Sequence, residues 1–91
     1  MAQLIRNLTY PVLTTDGGRF KAAVYGQPRS DGMWEGWLEF SPGTGYQPGT
    51  RLQTDRETVQ ASEAQLDYWA AGLEPAYLEG AFQRAHGVPL V

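Results

Sequence analysis

The sequence has no cysteine and only one histidine, His86, and both shortages narrow its chemistry. Without cysteine the chain has no disulfide, no thiolate metal ligand and no cysteine nucleophile. A single histidine at the end of a predicted helix, with no serine, aspartate or second histidine in catalytic spacing, favours an interaction with the helix dipole over general-base catalysis. We therefore predict no catalytic residue, no metal site and no cofactor, although an enzyme site made of carboxylates, arginine and tyrosine stays open.

Long apolar runs and clusters of basic residues are missing as well. No stretch approaches the roughly 18 apolar residues that cross a membrane, and the first residues do not form a secretory signal. The seven basic residues are scattered and the net charge is −3, whereas proteins that bind nucleic acid usually have a clustered basic face. These absences predict a cytoplasmic protein that binds neither membranes nor nucleic acid.

The sequence does contain the length and the hydrophobic patterns of one folded domain. Its 91 residues suffice for a single domain, and hydrophobic residues, at 42%, supply a modest core. Segments with a period of two and turn residues between them precede Gln60, and helix-forming segments follow it. We predict one domain over residues 1–91, with a β-meander over about 8–60 and a helical layer over about 62–86.

A hairpin is predicted from residues 10–26, YPVLTTDGGRFKAAVYG. Asp16-Gly17 favours a two-residue turn, because the preferred hairpin turn needs positive φ angles at both central residues. Pro11 cannot donate a ladder hydrogen bond, so its strand is predicted at an edge of the sheet. The breaker-rich residues 27–32, QPRSDG, predict the turn to the next strand.

The next strand contains WEGWLEF, residues 34–40, which has two tryptophans on opposite sides of a period-two pattern. Trp37 faces away from Leu38, and therefore away from the predicted helical layer. Pairing Tyr25 with Glu35 satisfies both faces of the hairpin, since large side chains then meet small ones or each other. A short fourth strand with an irregular edge is predicted to follow.

Two helices are predicted in the last third of the chain. Ser62 is a good N-cap, and Gln65 three residues later completes a capping box. Gly72 is placed to end the first helix, and Pro75 to begin the second, where its missing N–H costs nothing. One helix kinked between Gly72 and Pro75 is the alternative. We predict an α+β fold in which a three- to four-stranded antiparallel meander sheet packs against two C-terminal helices.

The outward position of Trp37 predicts a contact surface, because Tyr25 and Met33 lie on the same face inside a charged rim. Apolar centres with charged rims mark partner surfaces, in which tryptophan and tyrosine are enriched. We predict that these three residues bind a partner, and that Trp37→Ala weakens assembly while leaving the fold intact. The alternatives are that the indole packs locally on Ala23, or that a terminal segment such as residues 2–8 covers it.

A second candidate site is the polar segment TDRETVQ, residues 54–60, just before the first helix. Arg56, Glu57 and Tyr68 are predicted to line a small polar pocket. The alternative is a solvated edge strand whose charges resist pairing with other strands.

Residues 56–82, RETVQASEAQLDYWAAGLEPAYLEGAF, together with WEGWLEF, resemble a group of small uncharacterised bacterial proteins over roughly the last two-thirds of the chain. That resemblance implies no activity and transfers no functional residue. The order of strands before helices and the YPVL…DGG hairpin also loosely resemble the HicB-like antitoxin domain, whose partner is a small toxin. The chain lacks that domain's usual proline-rich turn and helix pattern, so only a fold-level analogy follows.

Together these features predict a small, non-enzymatic bacterial domain that binds another protein or associates with itself. A small-ligand-binding protein or enzyme with a polar pocket near Arg56 and Glu57 is the alternative. An antitoxin-like regulator is a third interpretation, and the negative net charge disfavours it where the partner is nucleic acid.

Overall fold

The computed structural model describes residues 2–13, 18–42 and 51–85. Its strands are β1 (Gln3–Asn7), β2 (Val12–Leu13), β3 (Arg19–Pro28), β4 (Trp34–Pro42), β5 (Leu52–Gln53) and β6 (Thr58–Gln60), and its helices are α1 (Glu63–Ala71) and α2 (Pro75–Ala85). Within those ranges, no helix is both long and apolar enough to cross a membrane. The predictions that concern the Asp16-Gly17 turn and His86 lie outside the described residues.

The strands form an antiparallel sheet with the order β1, β3, β4, β5. β2 pairs with β3 in line with β1, and β6 pairs with β4 in line with β5. The antiparallel sheet and the two helices confirm the predicted α+β fold. The described part of the chain holds six strands, more than the three or four expected, because residues 3–7 add a strand and the irregular edge divides into two.

The hairpin of β3 and β4 has the predicted strands but not the predicted register. Tyr25 lies opposite Trp37, and not opposite Glu35, so the whole ladder is shifted by two residues. A shift of two keeps every side chain on its face, whereas a shift of one would move each of them to the other face. The predicted faces are therefore confirmed, and the predicted pairing is wrong.

The turn between β3 and β4 causes this shift. The predicted turn at residues 27–32 is too long, because β3 continues to Pro28. The N–H of Arg29 donates to the carbonyl of Met33 at 2.7 Å, which leaves a short loop between them. Gly32 in that loop has a φ of 86°, a left-handed conformation that glycine adopts without a steric penalty. The turn is therefore centred on Asp31, whereas pairing Tyr25 with Glu35 would centre it on Ser30, and this displacement by one residue shifts the register by two.

Both helices lie on one face of the sheet. The start of each helix and the end of α1 lie at the residues predicted from the sequence. The Ser62 hydroxyl accepts from the Gln65 N–H at 3.1 Å, which confirms the predicted N-cap. Gly72 ends α1 with a φ of −91°, so it caps the helix without the left-handed conformation. Pro75 begins α2, and the chain therefore forms two helices instead of one kinked helix.

The core lies between the helices and the inner face of the sheet. Leu66 of α1 lies over Gly26 and Gly36, which pair directly across β3 and β4. A methyl group at Gly36 would lie 2.6 Å from a Leu66 methyl carbon, so glycine at these positions lets α1 approach the sheet. The largest fully buried side chains are Phe20, Phe40, Leu38, Leu66, Leu78 and Val24.

Candidate functional site on the outer face

The face of the sheet opposite the helices, the outer face, carries an apolar row across three strands. Leu4 of β1 lies opposite Tyr25 of β3, and Tyr25 lies opposite Trp37 of β4. Leu4 is 46% exposed, and Tyr25 is partly buried. Met33 is partly buried in the hairpin loop, about 13 Å along the chain from Trp37. The structure therefore brings Tyr25 and Trp37 together and leaves Met33 at the end of the face.

Trp37 lies on the predicted face but is largely buried there. It is 8% exposed, yet it does not belong to the core cluster under the helices. On its β5–β6 side, the Glu57 N–H donates to the Gly36 carbonyl at 2.8 Å, and the Thr54 N–H donates to the Leu38 carbonyl at 2.9 Å. Its buried Nε1 has no hydrogen-bond partner among the described residues. A buried N–H without a partner costs free energy, so the packing of the indole must outweigh that cost.

Polar residues flank the apolar row on both sides. Toward the β3–β4 turn, Gln27 lies opposite Glu35, and the Gln27 amide donates to the Glu35 carboxylate at 2.7 Å. Away from the turn, Ala23 lies opposite Glu39, and Lys21 lies opposite a serine. The outer face thus has an apolar centre between two polar margins that carry charges of both signs.

A pocket of about 100 Å³ lies beside the apolar row, over Ala23. Its polar lining residues are Asn7, Lys21, Tyr25, Glu39, Ser41 and Arg51. A β-bulge in β1 places the first of these, because the register passes from Leu4–Tyr25 to Asn7–Ala23 with one extra residue in β1. Leu4 and Asn7 therefore both reach the outer face although they are three residues apart. Simple alternation predicts opposite faces for them, so sequence reasoning missed this pocket.

The residues of the predicted polar pocket, Arg56, Glu57 and Tyr68, have separate surroundings. Arg56 Nη1 lies 4.0 Å from a carboxylate oxygen of Glu35, which belongs to the outer face. Tyr68 is 79% exposed on α1. In the part of the chain that the structure describes, no hydrogen bond or ion pair joins these three residues to one another. Glu57 instead belongs to a cluster with residues of α2.

The Glu57 carboxylate links the segment before β6 to α2. Its Oε1 accepts from the Tyr77 hydroxyl and from Arg84 Nη2, each at 2.5 Å, and its side chain is only 9% exposed. The Tyr77 ring also packs edge-on against Trp69, with ring centroids 6.1 Å apart. The chain's own donors therefore occupy this carboxylate, which favours a structural role over ligand binding. Tyr77 and Arg84 are seven residues apart on one helical face, and that spacing is the signal that sequence reasoning missed.

Tyr77 gives this cluster a pH-dependent signature. The pKa of Tyr77 is raised to about 12, from an ordinary value of about 10. Burial is the largest cause, and the hydrogen bond and the negative charge of Glu57 add to it. The contribution to stability is therefore complete below pH 10 and is lost as the pH rises from about 10 to about 12. In a titration followed by tyrosinate absorbance, we expect one tyrosine to ionise near pH 12 and Tyr77→Phe to abolish that step.

Tyr68→Phe is the matched control, because Tyr68 is exposed on the neighbouring helix and lies outside the cluster. It should leave the step near pH 12 in place. If that step persists in Tyr77→Phe, the burial and the carboxylate contact do not govern the ionisation of Tyr77.

No group of three or more histidine, aspartate or glutamate side chains is placed to bind a metal ion within the described ranges. Comparisons with models of protein families, with curated proteins and with solved structures found no match. The class that the structure itself defines is an α+β domain with helices on one face of the sheet and an apolar row on the other. Both sequence resemblances stay predictions, and a functional proposal depends on the surface of this chain alone.

Proposed function

We propose that the protein is a non-enzymatic binding domain whose outer face binds another protein chain, and that a second copy of itself is the partner. The apolar row of Leu4, Tyr25 and Trp37 supports this proposal, because it lies between polar margins. A protein interface usually has such an apolar centre and a polar rim. Both helices pack on the inner face, so neither helix of the described chain covers the row.

The charges of the outer face favour a second copy over a strongly charged partner. Lys21 and Arg56 contribute positive charge, and Glu35 and Glu39 contribute negative charge. In a two-fold symmetric pair, one residue meets a different residue of the other copy, so opposite charges can lie opposite each other. A face with both signs is therefore able to complement itself.

Leu4→Lys tests this proposal most directly. Leu4 is 46% exposed at the margin of the apolar row, so its replacement should change the stability of the monomer by about 0.5 kcal/mol or less. A lysine would bring an unpaired charge against the apolar row, and we expect self-association to weaken about tenfold or more. Light scattering over a concentration series measures this effect.

Tyr68→Lys is the matched control, because it adds the same charge at a residue of α1 that is 79% exposed. It should leave self-association unchanged. Equal weakening by both variants would contradict the proposed surface. A chain that stays monomeric at every concentration and recovers no partner in a pull-down would contradict protein binding altogether.

A further inference from the structure

We propose that the pocket over Ala23 binds a carboxylate side chain, a glutamate or an aspartate of the chain that docks on the outer face; this inference rests on the proposed function. The pocket lies directly beside the apolar row, and Tyr25 belongs to both. A chain that covers the row would therefore also cover the pocket, and its side chains would have to fill or seal it. The size, the charge and the arrangement of the pocket each favour a carboxylate.

The size of the pocket suits a small polar group. Its volume is about 100 Å³, which corresponds to roughly three water molecules at about 30 Å³ each. A carboxylate with its adjoining methylene group has a comparable number of heavy atoms.

The charge of the pocket is positive in a protein whose net charge is negative. Lys21 and Arg51 line it, and Glu39 is the one acidic residue among the described residues of the lining. The side chains of Lys21 and Arg51 form no hydrogen bond or ion pair with another described residue, so their side-chain donors are free within that part of the chain. Lysine and arginine bind carboxylates through charge-assisted hydrogen bonds, and the guanidinium can do so with two parallel bonds.

The donors come from different strands and meet over the small side chain of Ala23. Lys21 lies opposite Ser41 across β3 and β4, and the bulge in β1 brings Asn7 opposite Ala23. Glu39 also lies opposite Ala23, on the other side. It would repel a bound carboxylate, so the described lining contributes two attractive charges and one repulsive charge. Removing a positive charge must therefore weaken the binding of a carboxylate, and removing the negative charge of Glu39 must strengthen it.

The test is a titration of the whole chain with a probe that carries a single carboxylate, N-acetylglutamate N-methylamide, followed by backbone amide chemical shifts. We expect the probe to shift the amides of Ala22 and Ala23 with a millimolar Kd, and the corresponding glutamine derivative to leave them unchanged. Lys21→Met and Arg51→Gln should each weaken binding about two- to fivefold, and Glu39→Gln should strengthen it by a similar factor. Higher salt should weaken binding of the probe as well.

Arg29→Gln is the control for a general loss of positive charge. Arg29 lies eight residues from Lys21, about 26 Å along the strand direction, and forms an ion pair with Asp31. Its replacement should leave the Kd of the probe unchanged. Equal binding of the glutamine derivative, or the same direction of effect for Lys21→Met and Glu39→Gln, would overturn the carboxylate pocket.

The probe is a free molecule, so this test separates the pocket from self-association. If the probe does not shift the amides of Ala22 and Ala23, the carboxylate pocket is wrong. Self-association that Leu4→Lys weakens would still support the proposed function. A monomeric chain that still binds the probe through Lys21 and Arg51 would instead overturn the association alone.

Discussion

Trp37→Ala should lower the free energy of unfolding by about 3–5 kcal/mol, although the residue lies on the outer face. The sequence predicts a surface indole whose loss leaves the fold intact. The structure changes that expectation, because Trp37 is 8% exposed and the segment between β5 and β6 is hydrogen-bonded on either side of it. Truncation would leave a cavity instead of a smaller surface. Urea denaturation followed by circular dichroism measures the effect without relying on tryptophan fluorescence.

Trp37→Phe is the matched control for this replacement. It keeps an aromatic ring and removes the buried Nε1, which has no hydrogen-bond partner among the described residues. Removing an unsatisfied donor offsets part of the lost packing, so we expect a loss of only about 1–2 kcal/mol. If Trp37→Ala unfolds at the same urea concentration as the parent chain, the indole contributes no buried contacts and is free to act as a surface anchor.

Periodicity predicts the face on which a strand residue lies, but it does not predict how deeply that residue is buried. The alternation in β4 correctly separates Trp37 from Leu38, since side chains in a strand point to opposite faces. The segment between β5 and β6 lies beside Trp37, and the hydrogen bonds of Thr54 and Glu57 to β4 join residues 16 to 21 positions apart. Such contacts leave no periodic signal, so the sequence overestimates the exposure of the indole and the value of its replacement as a test of binding.

The same limit explains the missed strand and the missed cluster. β1 contains a bulge, so its pattern of apolar residues does not alternate, and residues 3–7 look irregular. Glu57 finds its partners 20 and 27 residues away on α2, beyond any local spacing rule. The N-cap at Ser62 was predictable because both of its atoms belong to one helical turn. Local chemistry therefore predicts the elements, and the site depends on contacts between them.

Leu66→Ala should lower the free energy of unfolding by about 2–5 kcal/mol, because Leu66 is fully buried at the contact between α1 and the sheet. The two glycines beneath it make the prediction more specific. A methyl group at Gly36 would lie 2.6 Å from Leu66 Cδ1, with the nearest backbone atom at 3.4 Å. A methyl group at Gly26 would lie 2.8 Å from the backbone oxygen of Glu35 as well as 2.5 Å from Leu66 Cδ2.

The two glycine replacements should therefore respond differently to the loss of Leu66. Gly36→Ala alone should cost about 1–3 kcal/mol, and Leu66→Ala should relieve most of that cost, since the new methyl group then fills part of the cavity. Gly26→Ala should keep most of its cost in the Leu66→Ala background, because a backbone oxygen cannot move aside as a side chain can. Chemical denaturation of the three single and two double variants against the parent measures both couplings. If the losses for Gly36→Ala and Leu66→Ala are additive, α1 does not pack on β4 at this point. The packing of the helices that leaves the outer face uncovered would then be wrong.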